Sequence, residues 1–198
     1  MYIKLLLFSL VLCTIKASYP RHVVGTLYSS NGGVWGDWHE PRFCPTGQFA
    51  IGYSLKIERK QGTRGDDTSL NAIKLLCGTK NHRSNHGFAV TSGYGPWGDY
   101  SGIMKCGYTF FLTAFSLQVE RSQGRGDDTA ANYVRFRCKA LTWSWPGYEI
   151  GGHGFWGDFG GWSTCPHGTA ICGLRTKIEA PIRGDDTALN DVIFYCCK

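Results

Sequence analysis

The sequence predicts an all-β protein with internal pseudo-three-fold symmetry, in which three antiparallel sheets close around one axis as a prism. Three observations lead there. First, an octapeptide occurs three times: RGDDTSLN from Arg64 to Asn71, RGDDTAAN from Arg125 to Asn132, and RGDDTALN from Arg183 to Asn190. Second, a long stretch before each copy repeats as well. Trp35, Trp97 and Trp156 each open a Trp-Gly-Asp followed by an aromatic; Cys44, Cys106 or Cys165 comes nine residues after the tryptophan, and Glu58, Glu120 or Glu179 twenty-three residues after it. Third, each repeat holds two stretches that alternate apolar and polar residues, the mark of a strand with one buried face. Helix signals are nearly absent, and the 27 glycines fall between runs rich in β-branched and aromatic residues.

Taken in order, residues 1–17 read as a secretory signal, with Lys4 for positive charge, an apolar run from Leu5 to Ile15, and cleavage after Ala17 or Ser18. Residues 18–198 then form a single domain of three repeats at about 23–83, 84–145 and 146–198. The first strand of each repeat turns Tyr53, Leu55 and Ile57 inward, then Phe115, Leu117 and Val119, then Leu174, Thr176 and Ile178. The second turns in Ile73, Leu75 and Cys77, then Val134, Phe136 and Cys138, then Val192, Phe194 and Cys196. A further strand is expected at Gly25–Ser30, Gly87–Ser92 and Gly147–Gly152. Three or four strands per repeat give one sheet each, and closing three sheets leaves few exposed edges. A three-bladed propeller is the geometric alternative.

Composition excludes several classes. Without the leader the formal charge falls from +6 to +4, because only Lys4 and Lys16 are removed, and no run of basic residues points to nucleic acid. No apolar stretch reaches membrane-spanning length. No nucleophile motif, phosphate-binding glycine loop or metal-ligand cluster is present, so neither a cofactor nor a metal is expected. His82 and His86 stand four apart without a helix to bring them together and read as solvated loop.

Trp35-Gly-Asp-Trp38, the strand ending Lys56-Ile57-Glu58, the thrice-repeated RGDDTxxN and the terminal Phe194-Tyr-Cys-Cys-Lys198 resemble the vitelline membrane outer layer protein 1 family across essentially the whole mature chain. The resemblance implies a β-prism of three Greek-key sheets, secretion, and a structural role in the outer coat of the egg, with members also in other secretions. It further implies a lysozyme-like transfer of N-acetylglucosamine oligosaccharides, for which the family has no assigned catalytic residues.

Removing the leader removes Cys13 and leaves eight cysteines in an oxidising compartment. One pair recurs in each repeat: Cys44 with Cys77, Cys106 with Cys138, Cys165 with Cys196. Cys172 and Cys197 belong to the third repeat alone and are expected to pair. The exchange of Cys165 with Cys197 and Cys172 with Cys196 stays open, since Cys196 and Cys197 are adjacent.

The Arg-Gly-Asp in each octapeptide invites an integrin reading, but its recurrence in one frame, always ahead of Asp-Thr and a strand, points to architecture. Asp66, Asp67, Asp127, Asp128, Asp185 and Asp186 are assigned to structural turns, with Glu58, Glu120 and Glu179 meeting Arg64, Arg125 and Arg183 at the loop base. Neighbouring carboxylates on an extended chain point apart. They do not supply the facing pair, about 5 to 9.5 Å apart, that a glycosidase needs. Function is sought where the repeats disagree. Trp143 and Trp145 between the second and third repeats, Trp162 after the third Trp-Gly-Asp, and the carboxylates Glu40 and Glu149 form the candidate saccharide platform; capping the prism core is the competing role for the aromatics. Trp35, Trp97 and Trp156 are assigned to the core. The reading is a secreted, noncatalytic structural protein binding coat or mucin-type glycoproteins and their glycans, with a weak lysozyme-like transferase or hydrolase, transglycosylating or cleaving N-acetylchito-oligosaccharides, as the alternative.

Overall fold

The computed structural model describes residues 21–59, 69–80, 87–120, 131–142, 146–181 and 188–198. Among these run fifteen strands and no helix. The first five are β1 (Val23–Tyr28), β2 (Asp37–Trp38), β3 (Arg42–Phe43), β4 (Phe49–Ile57) and β5 (Leu70–Gly78). The next five are β6 (Ala89–Val90), β7 (Asp99–Tyr100), β8 (Met104–Lys105), β9 (Phe110–Val119) and β10 (Ala131–Ala140). The last are β11 (Tyr148–Ile150), β12 (Asp158–Phe159), β13 (Ser163–Thr164), β14 (Ala170–Ile178) and β15 (Leu189–Cys197).

Three antiparallel sheets share one plan. The first sheet has the order β6-β5-β4-β7 with β8 also on β4, the second β11-β10-β9-β12 with β13 on β9, and the third β1-β15-β14-β2 with β3 on β14. The first two orders are those of a Greek key, three consecutive strands with a fourth returning beside the first, and the third has the same order with the chain break between β15 and β1. One expectation needs correction: a sheet is not built by one repeat. The long hairpin of each repeat is completed by the short strands of the next, and the last hairpin, β14 and β15, takes its short strands from the first repeat. The chain thereby closes on itself, with Val23 opposite Cys197 in register.

The alternation works as expected. Tyr53, Leu55, Phe115, Leu117, Leu174, Ile73, Leu75, Val134, Phe136, Val192 and Phe194 are all at most 1 % exposed and form one core between the sheets. Phe136 lies 4.6 Å from Tyr53 and 5.3 Å from Phe194, whose ring is 4.7 Å from Phe115. A smaller cluster at the end where the long hairpins begin gathers Phe49, Ile51, Phe111, Cys172 and Cys197.

The disulfides follow the exchange of strands. Cys44 lies just past β3 in the third sheet and bonds Cys77 in the first; Cys106 past β8 bonds Cys138 in the second; Cys165 past β13 bonds Cys196 in the third. These three bonds lace each sheet to the next around the prism. Cys172 and Cys197 join β14 to β15 within the third sheet. Each closed loop raises stability by about 3 to 4 kcal/mol in the chain-entropy account.

At the opposite end, the glycine of each Trp-Gly-Asp has a positive φ (Gly36 81°, Gly98 74°, Gly157 77°), and a Cβ there would stand within 2.4 Å of the backbone ending the neighbouring long strand. That close approach explains why glycine recurs. The tryptophans beside it are not core residues: Trp35 is 58 % and Trp97 47 % exposed. Trp156 is half-buried, and the turn uses the backbone instead, Trp97 and Trp156 donating their amides to Asn71 Oδ1 and Asn132 Oδ1 at 3.3 and 3.2 Å. Those asparagines end the octapeptides and are fully buried. Arg64 to Thr68, Arg125 to Ala130 and Arg183 to Thr187, with all six turn aspartates and the arginines assigned to Glu58, Glu120 and Glu179, lie outside the described residues.

Candidate functional site

The repeats differ most on the outer face of the second sheet. Alternation along β10 turns Tyr133, Arg135, Arg137 and Lys139 outward. The equivalent outward positions are Ala72, Lys74, Leu76 and Gly78 on β5, and Asp191, Ile193, Tyr195 and Cys197 on β15. Over this face the segment 154–162 is pinned by buried polar groups of β9. Ser116 Oγ donates to Gly160 O at 2.7 Å, Gln118 Nε2 donates to Gly157 O at 2.9 Å, and Gly154 N donates to Gln118 Oε1 at 2.6 Å.

The pinned segment presents Phe159 and Trp162 to the arginines. Arg135 Cζ lies 4.1 Å from the Phe159 ring centre and 5.0 Å from that of Trp162, while Arg137 Cζ lies 4.0 Å from Trp162. Such contacts are attractive because the ring face carries negative charge. Glu149 on β11 accepts from Arg137 Nη2 at 2.8 Å and Nε at 3.2 Å, and its other oxygen is 3.7 Å from Arg135 Nη1. The platform residues Trp162 and Glu149 are therefore brought together, linked through two arginines that were not singled out from the sequence.

Glu40 is not with them. It follows β2 at the third sheet, where its carbonyl accepts from Ser92 Oγ at 2.7 Å. Trp143 and Trp145, like His82 and His86, lie outside the described residues. With Glu149 tied to Arg137 and Glu40 on another sheet, these two carboxylates do not face each other across a sugar bond. Among the described residues no group of three or more His, Cys, Asp or Glu side chains could hold a metal ion, and no helix is long and apolar enough to cross a membrane.

Phe159 has a second neighbour. Beside it opens a recess of about 400 Å³ between the second sheet and the loop after β1, lined by Ser30, Asn31, Gly32, Val119, Asp158, Phe159 and Gly160. Asn31 Nδ2 donates to the carbonyls of Leu117 at 3.1 Å and Asp158 at 3.3 Å, and Gly161 N donates to Ser30 Oγ at 3.0 Å. Ser29 Oγ and Val192 N donate to Asp191 Oδ1 at 2.6 and 2.7 Å and fix the start of this loop. Burial pushes the Asp191 carboxyl above the usual carboxylate range, against the pull of those two hydrogen bonds and of Lys177.

Gly160 keeps the recess open, for a Cβ there would meet Asn31 Oδ1 at 2.4 Å. At the equivalent junction of the first and third sheets, His39 stands in the place of Gly160, with its ring packed where a Cβ on Gly93 would be 2.6 Å away. The recess was invisible in the sequence because its walls come from residues about 130 apart, although the Gly160-Gly161 pair did mark the departure from three-fold symmetry.

The family profile of Vitelline membrane outer layer protein I matches residues 26–198. The chain belongs to that family. A vitelline membrane outer layer protein 1 homolog of Mus musculus is 46 % identical over 98 % of this chain and 96 % of its own, and one of Homo sapiens is 50 % identical over 85 % and 81 %. Among solved structures, a mannose-specific jacalin-related lectin from Morus nigra in complex with mannose superposes with a TM-score of 0.52 over 92 % of this chain and 97 % of its own, at 13 % identity. That likeness shows a shared β-prism fold.

Proposed function

We propose that the protein is a secreted structural component of an extracellular coat, the outer layer of the vitelline membrane or a mucous secretion, and that it holds coat glycoproteins through their glycans without chemistry. The leader at 1–17 and the four disulfides support export, and residues 18–198 act as one folded unit. The observation that carries the glycan reading is the recess beside Phe159. Its lining combines the aromatic Phe159 with the polar residues Ser30, Asn31 and Asp158 around a space suited to one sugar ring. Sugar recognition needs that combination of an apolar ring face and a few fixed polar groups. A mannose-bound protein of the same fold adds to it.

The test is incubation of pure, disulfide-intact protein with N-acetylchito-oligosaccharides and mannose-terminated oligosaccharides, read by mass spectrometry for product and by calorimetry for binding. Unchanged chain lengths with measurable binding that Asp158→Asn and Gly160→Val weaken about tenfold are expected. New chain lengths that disappear in a Glu40→Gln or Glu149→Gln variant would replace this reading with transglycosylation. Absence of any binding would remove the glycan part of it.

A further inference from the structure

We infer that the outward row of cations on β10 is a binding strip for a linear sulfated glycan; the inference rests on the glycan reading above and names the chemical class. Arg135, Arg137 and Lys139 alternate along one strand, so their side chains stand on one face at intervals of about 6.8 Å. The equivalent strands carry one cation, Lys74, or none, together with Asp191. Among the described residues Glu149 is the one carboxylate bonded to the row, which leaves a surplus of two positive charges there.

The arginines are held for the purpose. Trp162 lies against both guanidinium groups and Phe159 against one, so their positions are set before a ligand arrives. A guanidinium already held in place offers its remaining N–H donors to an oxyanion at little ordering cost. Glu149 uses the Nε and Nη2 hydrogens of Arg137 and leaves its Nη1 for another acceptor, and it approaches Arg135 Nη1 only to 3.7 Å. A row of cations suits a chain that bears anions at intervals, which engages several at once, over a glycan ending in a single carboxylate, which engages one. Phe159 connects the strip to the recess, so a sugar ring in the recess places the sulfated chain along β10.

The test compares an N-acetyllactosamine oligosaccharide in sulfated, desulfated and terminally sialylated forms by fluorescence anisotropy. Sulfated ligand is expected to bind about tenfold tighter than desulfated at low salt, with the gap closing near about 0.5 M sodium chloride. Arg137→Gln with Lys139→Gln should abolish the gap, and Glu149→Gln should widen it severalfold. Lys80→Gln with Lys198→Gln, which removes the same charge elsewhere, should leave it unchanged; thermal melting confirms that each variant is folded. Equal loss in both double variants, or sialylated ligand binding as well as sulfated, would overturn the strip. Tight, variant-independent binding of desulfated ligand would also overturn it while leaving the glycan reading in place; no binding of any form would overturn both.

Discussion

At Thr109 the backbone adopts φ 67°, a left-handed conformation that a β-branched residue rarely tolerates. The equivalent turns after Cys44 and Cys165 place Gly47 and Gly168 there, at 78° and 75°. Thr109→Gly removes a strain of about 1 to 2 kcal/mol and forfeits part of it to chain entropy and to the Thr109 hydroxyl bond with Tyr108 O. The expected gain is about 0.5 to 1 kcal/mol, read as a higher denaturant midpoint at constant slope; Gly168→Thr should lose a similar amount. Asp191 gives a residue-scale prediction in pH. Its folded pKa is raised above 3.8, so the folded state holds the proton more tightly than the unfolded chain. The associated stability is present below the unfolded value and is lost as pH rises through the folded one. Asp191→Asn keeps an oxygen for Ser29 and removes the buried charge, so its melting temperature should exceed the wild type's at pH 7. The two should converge as pH falls to about 3; an advantage that persists unchanged in acid would point to packing and away from charge.

Among the elements, the long hairpins were legible because each buries one face, and alternation marks that face residue by residue from Tyr53 to Cys196. The exchange of short strands was not legible. A repeat of about sixty residues has no intrinsic starting point, so the sequence period is the same whether a hairpin pairs with the short strands before it or after it. The site was half legible for a related reason. Trp162 and Glu149 stood out as departures from symmetry, whereas Arg135 and Arg137 looked like the polar half of an ordinary strand, and only the packing of segment 154–162 gives them a role. The bulge in each long hairpin supports a prediction at this scale. Cys172 occupies the bulge with Cys197 across from it, where the first repeat places Ile51 over Gly78, a Cβ on which would meet Ile51 Cδ1 at 2.5 Å. Ile51 and Gly78 thus fill the same volume without a bond. Replacing Cys172 and Cys197 by Ile and Gly should retain about 1 to 2 kcal/mol more stability than replacing both by Ala, because the Ala pair leaves a cavity. Urea unfolding of the two double variants decides it, and equal midpoints would mean the site collapses around the smaller residues.

For the whole molecule, three sheets of one plan mean that the position of the chain ends is arbitrary. The connections from β5 to β6 and from β10 to β11 each pass from a hairpin to the strand that flanks it, and the native break between β15 and β1 falls at the same place in the third sheet. Val23 and Cys197 are register partners on adjacent strands, so in a chain of residues 21–198 a linker of a few residues can join Lys198 to Arg21. A circular permutant that links Lys198 to Arg21 and begins between Lys80 and Gly87 moves the break from the third sheet to the first and leaves every strand pair possible. Its loops change length by little, and loop closure costs grow only with the logarithm of length. The permutant should therefore recover the same four disulfides, unfold in one cooperative transition, and lie within about 2 kcal/mol of the native chain. Peptide mapping of the disulfides together with thermal unfolding reads both. Scrambled pairs would show that the third sheet must close last, with β1 docking onto a prism already laced by Cys44–Cys77 and Cys106–Cys138, and that the order of the chain serves folding even where the finished structure does not need it.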